Sequence, residues 1–268
     1  MRAVSSWLVL SLAAATSLAA QAHPTAAAHI ALGDSAEPTL HPDQALGHYR
    51  AALALDSTSY EVLWKTGRAL IDIAKQIESD ADSVKRRRDS LYIEARGLGE
   101  RAVRVNPNGA QGHFIIGAAL GRLSRTRGGK ERVRFAKIIY DEGMKAIELD
   151  STHDGAYHLV GAWHAEVKRL SGIQRFFAKA LFGGGFLDKG NWADAQRYLE
   201  RAVALKPSDI FHHLELGEVY IDVGKYSAAR TQLTAIASLP IADVLDHEHK
   251  EDAVEDLKEI KNEKDKGT

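Results

Sequence analysis

Of the side chains here that could hold a metal or move a proton, histidines dominate: the chain has 12, and no cysteine. The densest group, Asp246-His247-Glu248-His249, sets its two imidazoles two positions apart, which on a helix turns them to different faces. A zinc site on one helical face needs the spacing His-Glu-x-x-His, and that spacing does not occur. His212-His213 falls at the expected start of a helix, beside core positions. Capping or solvated histidines are therefore expected, and no metal. Without cysteine there are no disulfides, thiolate zinc sites or thiol nucleophiles. Gly183-Gly184-Gly185 is not followed by Lys-Ser or Lys-Thr, so it reads as a flexible turn rather than a phosphate loop. Gly-x-Ser-x-Gly is absent as well. The expectation is a protein without catalysis and without a cofactor.

The remaining chemistry is charge and apolar surface. Over the 268 residues, 45% are hydrophobic and 26% charged, the balance of an ordinary globular protein with ample core. The formal charge of −1 exerts no global pull on nucleic acid, and no recognition motif for it is present, so a nucleic-acid partner is not expected. Locally the picture differs. Lys85 to Lys137 holds 14 basic and 4 acidic residues, whereas Asp243 to Lys266 holds 10 acidic and 5 basic. Lys85-Arg86-Arg87-Arg88 and the group Arg125, Arg127, Lys130, Arg132, Arg134 form one positive patch if their segments are neighbours. Such a patch suits an anionic membrane surface, an acidic partner or the acidic tail of the chain itself.

These groups must be positioned by helices. Arg2, the apolar run Trp7 to Ala20 and the small-residue site Ala20-Gln21-Ala22 have the layout of a secretory signal over residues 1–22. That run is shorter than the roughly 20 residues a membrane span requires. Export, to a periplasm or the outside, is the expectation. Residues 23–40 read as a loose leader, 41–240 as the folded domain, and 241–268 as a capping helix with a charged tail. Within the domain, Gly190, Trp192, Ala195, Leu199 and Ala202 recur 34 positions later as Gly224, Tyr226, Ala229, Leu233 and Ile236. Between them lies Leu216-Gly217-x-x-Tyr220, and Pro207 closes the first helix. This pattern resembles the tetratricopeptide repeat, a pair of antiparallel helices. A second regularity extends it upstream. Ala52–Gly67, Ala102–Gly117, Ala146–Gly161 and Ala202–Gly217 all keep one offset, which predicts a close helix crossing at each glycine. The units are longer than the ideal repeat, with extra length in 78–90, 123–134 and 170–189. Asp56-Ser57, Asn108, Ser151 and Ser208-Asp209 are the expected helix starts. The last helix is expected over 246–264, with Val254, Leu257 and Ile260 on its packed face. The fold class expected is all-α: a tetratricopeptide-like solenoid of antiparallel helix pairs with inserts and a C-terminal capping helix.

Three stretches carry a closer resemblance: Leu63-Trp64-Lys65-x-x-Arg68-Ala69, then Tyr92-x-x-Ala95 through Pro107, then His158-Leu159-x-Gly161-x-Trp163 followed by Gln174-Arg175-x-x-Ala178-Lys179-x-Leu181-Phe182 and Ala195 to Pro207. Over residues 44–237 the chain resembles the regulator of microtubule dynamics family. The resemblance implies a divergent tetratricopeptide fold and, from animal members, association with microtubules or binding of phospholipid. The signal-like N-terminus departs from those members, and an exported chain implies a protein, peptide or lipid partner rather than tubulin. By repeat register, the concave face carries Glu61, Trp64, Arg68 and Asp72, then Phe114 and Arg122, then His158 and Glu166, then Leu214 and Glu218. Aromatic and arginine side chains are the ones that anchor interfaces, so this face is the expected groove for a protein or peptide, with a phospholipid or other amphiphile as the alternative. The oligomeric state is left open.

In the longest insert, Ile173, Phe176, Phe177, Ala180 and Leu181 recur at helical spacing as one apolar stripe. The expectation is that it folds back and buries its phenylalanines against neighbouring repeats. A sharper alternative makes Phe176 and Phe177 a gate over an apolar ligand, with Arg175 and Lys179 facing the ligand's headgroup.

Overall fold

The computed structural model describes residues 24–77 and 81–267, so the expected signal segment lies outside the described residues. Among the described residues there is no strand, and twelve α-helices follow one another: α1 (Ala26–Ala36), α2 (Pro42–Leu55), α3 (Tyr60–Lys75), α4 (Asp82–Val105), α5 (Ala110–Ser124), α6 (Gly129–Leu149), α7 (Asp154–Arg169), α8 (Gly172–Phe182), α9 (Trp192–Leu205), α10 (Ile210–Asp222), α11 (Tyr226–Ile236) and α12 (Asp246–Glu259). α3 pairs with α4, α5 with α6, α7 with α9 and α10 with α11, and successive pairs stack. This is the expected solenoid of antiparallel helix pairs, and α8 interrupts the third pair.

Three of the junctions that lead into a new pair follow one chemical rule. α2, α4 and α6 end at Asp56, Asn106 and Asp150, each extended, with φ of −139°, −136° and −143°. Each side chain accepts the backbone N–H two residues on: Thr58 at 3.0 Å, Asn108 at 3.2 Å and Thr152 at 2.8 Å. This Asx turn reverses the chain and delivers it to the next helix. The expected starts are therefore displaced. Ser59, Gly109 and His153 hold the N-cap positions in place of Asp56-Ser57, Asn108 and Ser151, while Asp209 caps α10 as expected. Asp56 and Asp150 are spent on the turn itself.

The four glycines sit at helix crossings. A Cβ on Gly67 would lie 2.9 Å from Ile115 Cγ2, on Gly117 2.5 Å from Leu159 Cδ2, on Gly161 2.7 Å from Leu199 Cγ, and on Gly217 2.7 Å from Leu233 Cδ2. Each glycine lets a leucine or isoleucine of a neighbouring helix approach the backbone directly. The paired alanines, Ala52, Ala102, Ala146 and Ala202, are fully buried.

Both ends differ from expectation. The loose leader is instead the helix α1, packed on α2. Gly33 lies under the Tyr49 ring, and Asp34 accepts from Tyr49 Oη at 2.8 Å and from Lys65 Nζ at 2.6 Å. At the other end α12 caps α10 and α11 but stops at Glu259, and Val254 is half exposed while Ala253 and Ile260 are buried. The helical period places Ala253, not Val254, on the inner face. Before α12, Asp246 accepts from the N–H groups of Ala242 and Asp243 at 2.7 Å each, turning this strap toward α3.

Candidate functional site

α3, α5, α7 and α10 curve around a cavity of about 780 Å³, and α6, α8 and the 242–249 strap complete its wall. One part of the wall is charged. Arg68, Asp72 and Lys75 come from α3, Arg122 from α5, Asp154 and His158 from α7, His212 from α10 and Asp243 from the strap. Another part is apolar: Val133 and Ala136 of α6, Trp163 and Val167 of α7, and Ile173, Phe177 and Phe182 of α8. Trp163 is held in place by its indole N–H, which donates to the Ala136 carbonyl at 2.7 Å, and by the Tyr140 ring 4.6 Å away.

The charges in the wall are unequally matched. Lys75 Nζ donates to Asp72 and to Asp243, both at 2.8 Å. Burial opposes the ammonium, but these two carboxylates overcome it and hold Lys75 above the usual lysine range. Arg68 pairs with Glu37 at 3.2 Å. Arg122 is different. Its guanidinium lies 5.6 Å from the centroid of the Phe211 ring, and among the described residues no carboxylate forms an ion pair with it. Burial, followed by the neighbouring charge of Arg125, pulls Arg122 below the usual arginine range. Asp243 and Asp72 act on Arg122 only at a distance, so the cavity presents a cation without a direct carboxylate partner among the described residues, which an anion would neutralise.

Four histidines, His153, His158, His212 and His249, face the same space. His212 Nε2 lies 3.0 Å from Asp154 Oδ2, and its Nδ1 lies 3.1 Å from Nδ1 of His158. Burial opposes ionisation of Asp154, but the His212 hydrogen bond prevails and draws the carboxyl down to about 2. His158 is lowered well below the ordinary histidine range by burial, then by His212, so it is neutral in the folded protein. Asp154, Asp209 and His212 offer donor atoms within 4.8 Å of one another. Asp209 is already engaged by Lys206 at 2.9 Å and by the N-terminal N–H of α10, so the set reads as a hydrogen-bonded chain that docks α7 on α10. The sequence reading missed this group because its members lie 58 positions apart. The only local sign is the spacing Asp209-x-x-His212.

The expected groove residues divide. Arg68, Asp72, Phe114, Arg122, His158 and Glu166 line the cavity. Glu61 and Trp64 do not: Glu61 pairs with Lys65 at 2.8 Å, and Trp64 packs against the core on the α2 side. Leu214 is buried core, and Glu218 meets Arg169 at 3.2 Å. Glu61 and Trp64 lie on the first turns of α3, where Lys65 is tied to Asp34 of α1 at 2.6 Å, whereas Arg68 and Asp72 on the later turns reach the cavity.

The long insert corrects the expectation further. Ile173 is 71% exposed, Phe176 66%, Phe177 50% and Leu181 65%, so the stripe is not buried as a lid. Phe177 also borders the cavity, as a gate requires, but Phe176 does not. Arg175 and Lys179 do not face the cavity. Arg175 donates to the carbonyls of Leu170, at 3.1 Å, and Lys168, and Lys179 pairs with Asp188. The two basic segments are indeed neighbours: Arg127 bonds Asp89 of α4 at 2.6 Å, which also removes that arginine from the free charge of the patch.

A solenoid of tetratricopeptide-type helix pairs, closed around one concave cavity, defines the class of helical-repeat scaffold. The fold resembles that of a thermophilic tetratricopeptide protein from Thermus thermophilus, with a TM-score of 0.61 at 17% identity over 87% of this chain and 99% of that one. It also resembles pilF of Pseudomonas aeruginosa, with a TM-score of 0.52 at 15% identity over 88% and 90%. Within that class, the sequence profile of regulator of microtubule dynamics proteins 1-3 matches residues 31–261, and the chain belongs to this family. It is 28% identical to regulator of microtubule dynamics protein 1 of Bos taurus over 69% of this chain and 57% of that one. To protein 3 of Rattus norvegicus it is 25% identical, over 67% and 37%. The chain thus spans only about half or less of the length of these relatives.

Proposed function

We propose that this chain is an exported, non-catalytic scaffold that holds an anionic amphiphile in its concave cavity. The observation that carries the reading is Arg122, which forms no ion pair among the described residues, in a cavity part of whose wall is Trp163, Val133, Phe177 and Phe182. An acyl chain would remove that apolar surface from water, and an anionic headgroup would neutralise the guanidinium. A phospholipid or a fatty acid has this chemistry.

The protein or peptide reading expected from the repeat pattern rests on Phe114, Arg68 and Glu166, which line the cavity from three different repeats. The Lys75–Asp243 bridge favours the amphiphile, because it ties the strap across the concave face where an extended peptide would have to lie. Regulation of microtubules is what the names of the relatives describe, and for an exported chain it is not the proposed role.

Native mass spectrometry of protein purified from cells tests the reading. A co-purifying lipid mass is expected, and Arg122→Glu should remove it while circular dichroism stays unchanged. Ligand-free parent protein that also takes up no fatty acid or phospholipid on incubation would overturn it, and saturable binding of a peptide instead would restore the docking-groove reading.

A further inference from the structure

Helix α8 is inside out. Its solvent face is formed by Ile173, Phe176, Phe177, Ala180 and Leu181, with no polar side chain among them, and the four large ones are well exposed. Its charged side chains are turned back onto the protein, where Arg175 bonds the carbonyls that end α7 and Lys179 pairs with Asp188. Hydrophobic collapse favours the opposite orientation, so this face is built to meet something apolar.

The surroundings of α8 identify its occupant. Phe182, at the C-terminal end, rests against the backbone of Gly129, where a Cβ would come within 3.2 Å of the ring. The first turns of α6 at that point carry Lys130, Arg132 and Arg134. Glu131 is the one acid among them and is shared by Arg127 and Arg134 at 3.5 and 3.7 Å. Among the described residues no carboxylate forms an ion pair with Lys130. An apolar face beside cations, of which Lys130 forms no such ion pair while Arg132 and Arg134 also meet Glu166 and Glu131 at 3.9 and 3.7 Å, suits a helix lying in the interface of an anionic bilayer. A protein partner fits less well, because such interfaces carry about one hydrogen bond per 100–200 Å² and this face offers only Gln174, at its edge, as a side-chain donor or acceptor. We propose that α8 docks this protein on an anionic membrane surface, with Phe176 and Leu181 entering the acyl boundary and the start of α6 meeting the headgroups. Ile173 and Phe177 of this stripe also border the cavity, so the docking is told apart from cavity binding at the two residues that do not.

Phe176 and Leu181 are exposed and do not line the cavity, so F176S/L181S separates docking from ligand binding. The measurement is co-flotation with phosphatidylcholine vesicles, with and without phosphatidylglycerol, at low and high salt. The parent should float with anionic vesicles at low salt and be released by salt. F176S/L181S should lose at least about tenfold in vesicle affinity with unchanged helicity and unchanged cavity ligand. Reversal of Lys130 to Glu should weaken anionic binding about fivefold or more, and Arg122→Glu should leave flotation intact. Absence of flotation with either vesicle, or flotation indifferent to F176S/L181S, overturns the proposal. So does a parent dimer that the double substitution dissociates, since the face then belongs to a second copy of the chain.

Discussion

Lys75 on α3 and Asp243 on the strap before α12, 168 positions apart, lie 2.8 Å from each other across the mouth of the concave face. This contact links the first full repeat to the C-terminal segment that completes the cavity wall. Lys75 is nearly buried and has Asp72 as its second partner, so removing the ammonium leaves two carboxylates facing each other.

Lys75→Met should therefore cost about 1–3 kcal/mol, the range for losing a hydrogen bond to a charged group. Its more specific effect is local. Amide exchange of residues 240–249 should accelerate relative to that of α3 and α5. Equal protection in parent and variant would mean that the strap is held by α10 and α11 alone.

Gly161→Leu and Gly217→Leu each force a side chain into a crossing already filled by Leu199 or Leu233. A loss of roughly 1–3 kcal/mol is expected for each in chemical denaturation. Gly97 of α4 is the control, since a Cβ there would meet no atom within 4 Å. Gly97→Ala should instead stabilise by up to about 1 kcal/mol through helix propensity.

Arg169 reaches four carboxylates: Glu166 at 3.3 Å, Glu215 at 3.1 Å, Glu218 at 3.2 Å and Asp222 at 2.9 Å. Burial, and then the nearby Glu215, push the Glu218 carboxyl up to about 8 even with the arginine present. Arg169→Met should destabilise by about 3 kcal/mol above pH 8, where Glu218 is ionised, as breaking a buried pair does. The penalty should shrink as pH falls, because the stranded carboxylates are then neutralised by protons. A pH-independent difference in melting temperature between parent and variant would show that Arg169 acts by packing alone.

Acid should weaken the parent protein through its histidines. His153, His158 and His164 are all lowered by burial, so in the window below the ordinary value of 6.5 the unfolded chain binds protons that the folded one does not. Stability from these groups is complete above pH 6.5 and declines as pH falls below it. His158→Gln should flatten the decline between pH 6.5 and 5 in thermal melts. A slope unchanged by that substitution would assign the acid sensitivity to other groups.

What the sequence determined by itself was everything that depends on local period and residue size. The constant offset from Ala52 to Gly67, and its three repetitions, marked the helix pairs, because a small residue on each of two facing helices lets their backbones approach. The same periodicity identified Ile173, Phe176, Phe177 and Leu181 as one stripe and Arg68, Phe114 and Arg122 as residues facing the cavity. Tertiary structure decided which way each face turns. Glu61 and Trp64, on the turns of α3 that meet α1 through Lys65 and Asp34, fell outside the cavity wall, and the tethering of Arg175 and Lys179 turned the apolar side of α8 outward. It also brought Asp243 to Lys75 and Asp154 to His212, pairs whose separation along the chain leaves no local trace. Period is written in neighbouring residues, whereas the partner that satisfies a buried charge is chosen only when distant helices pack.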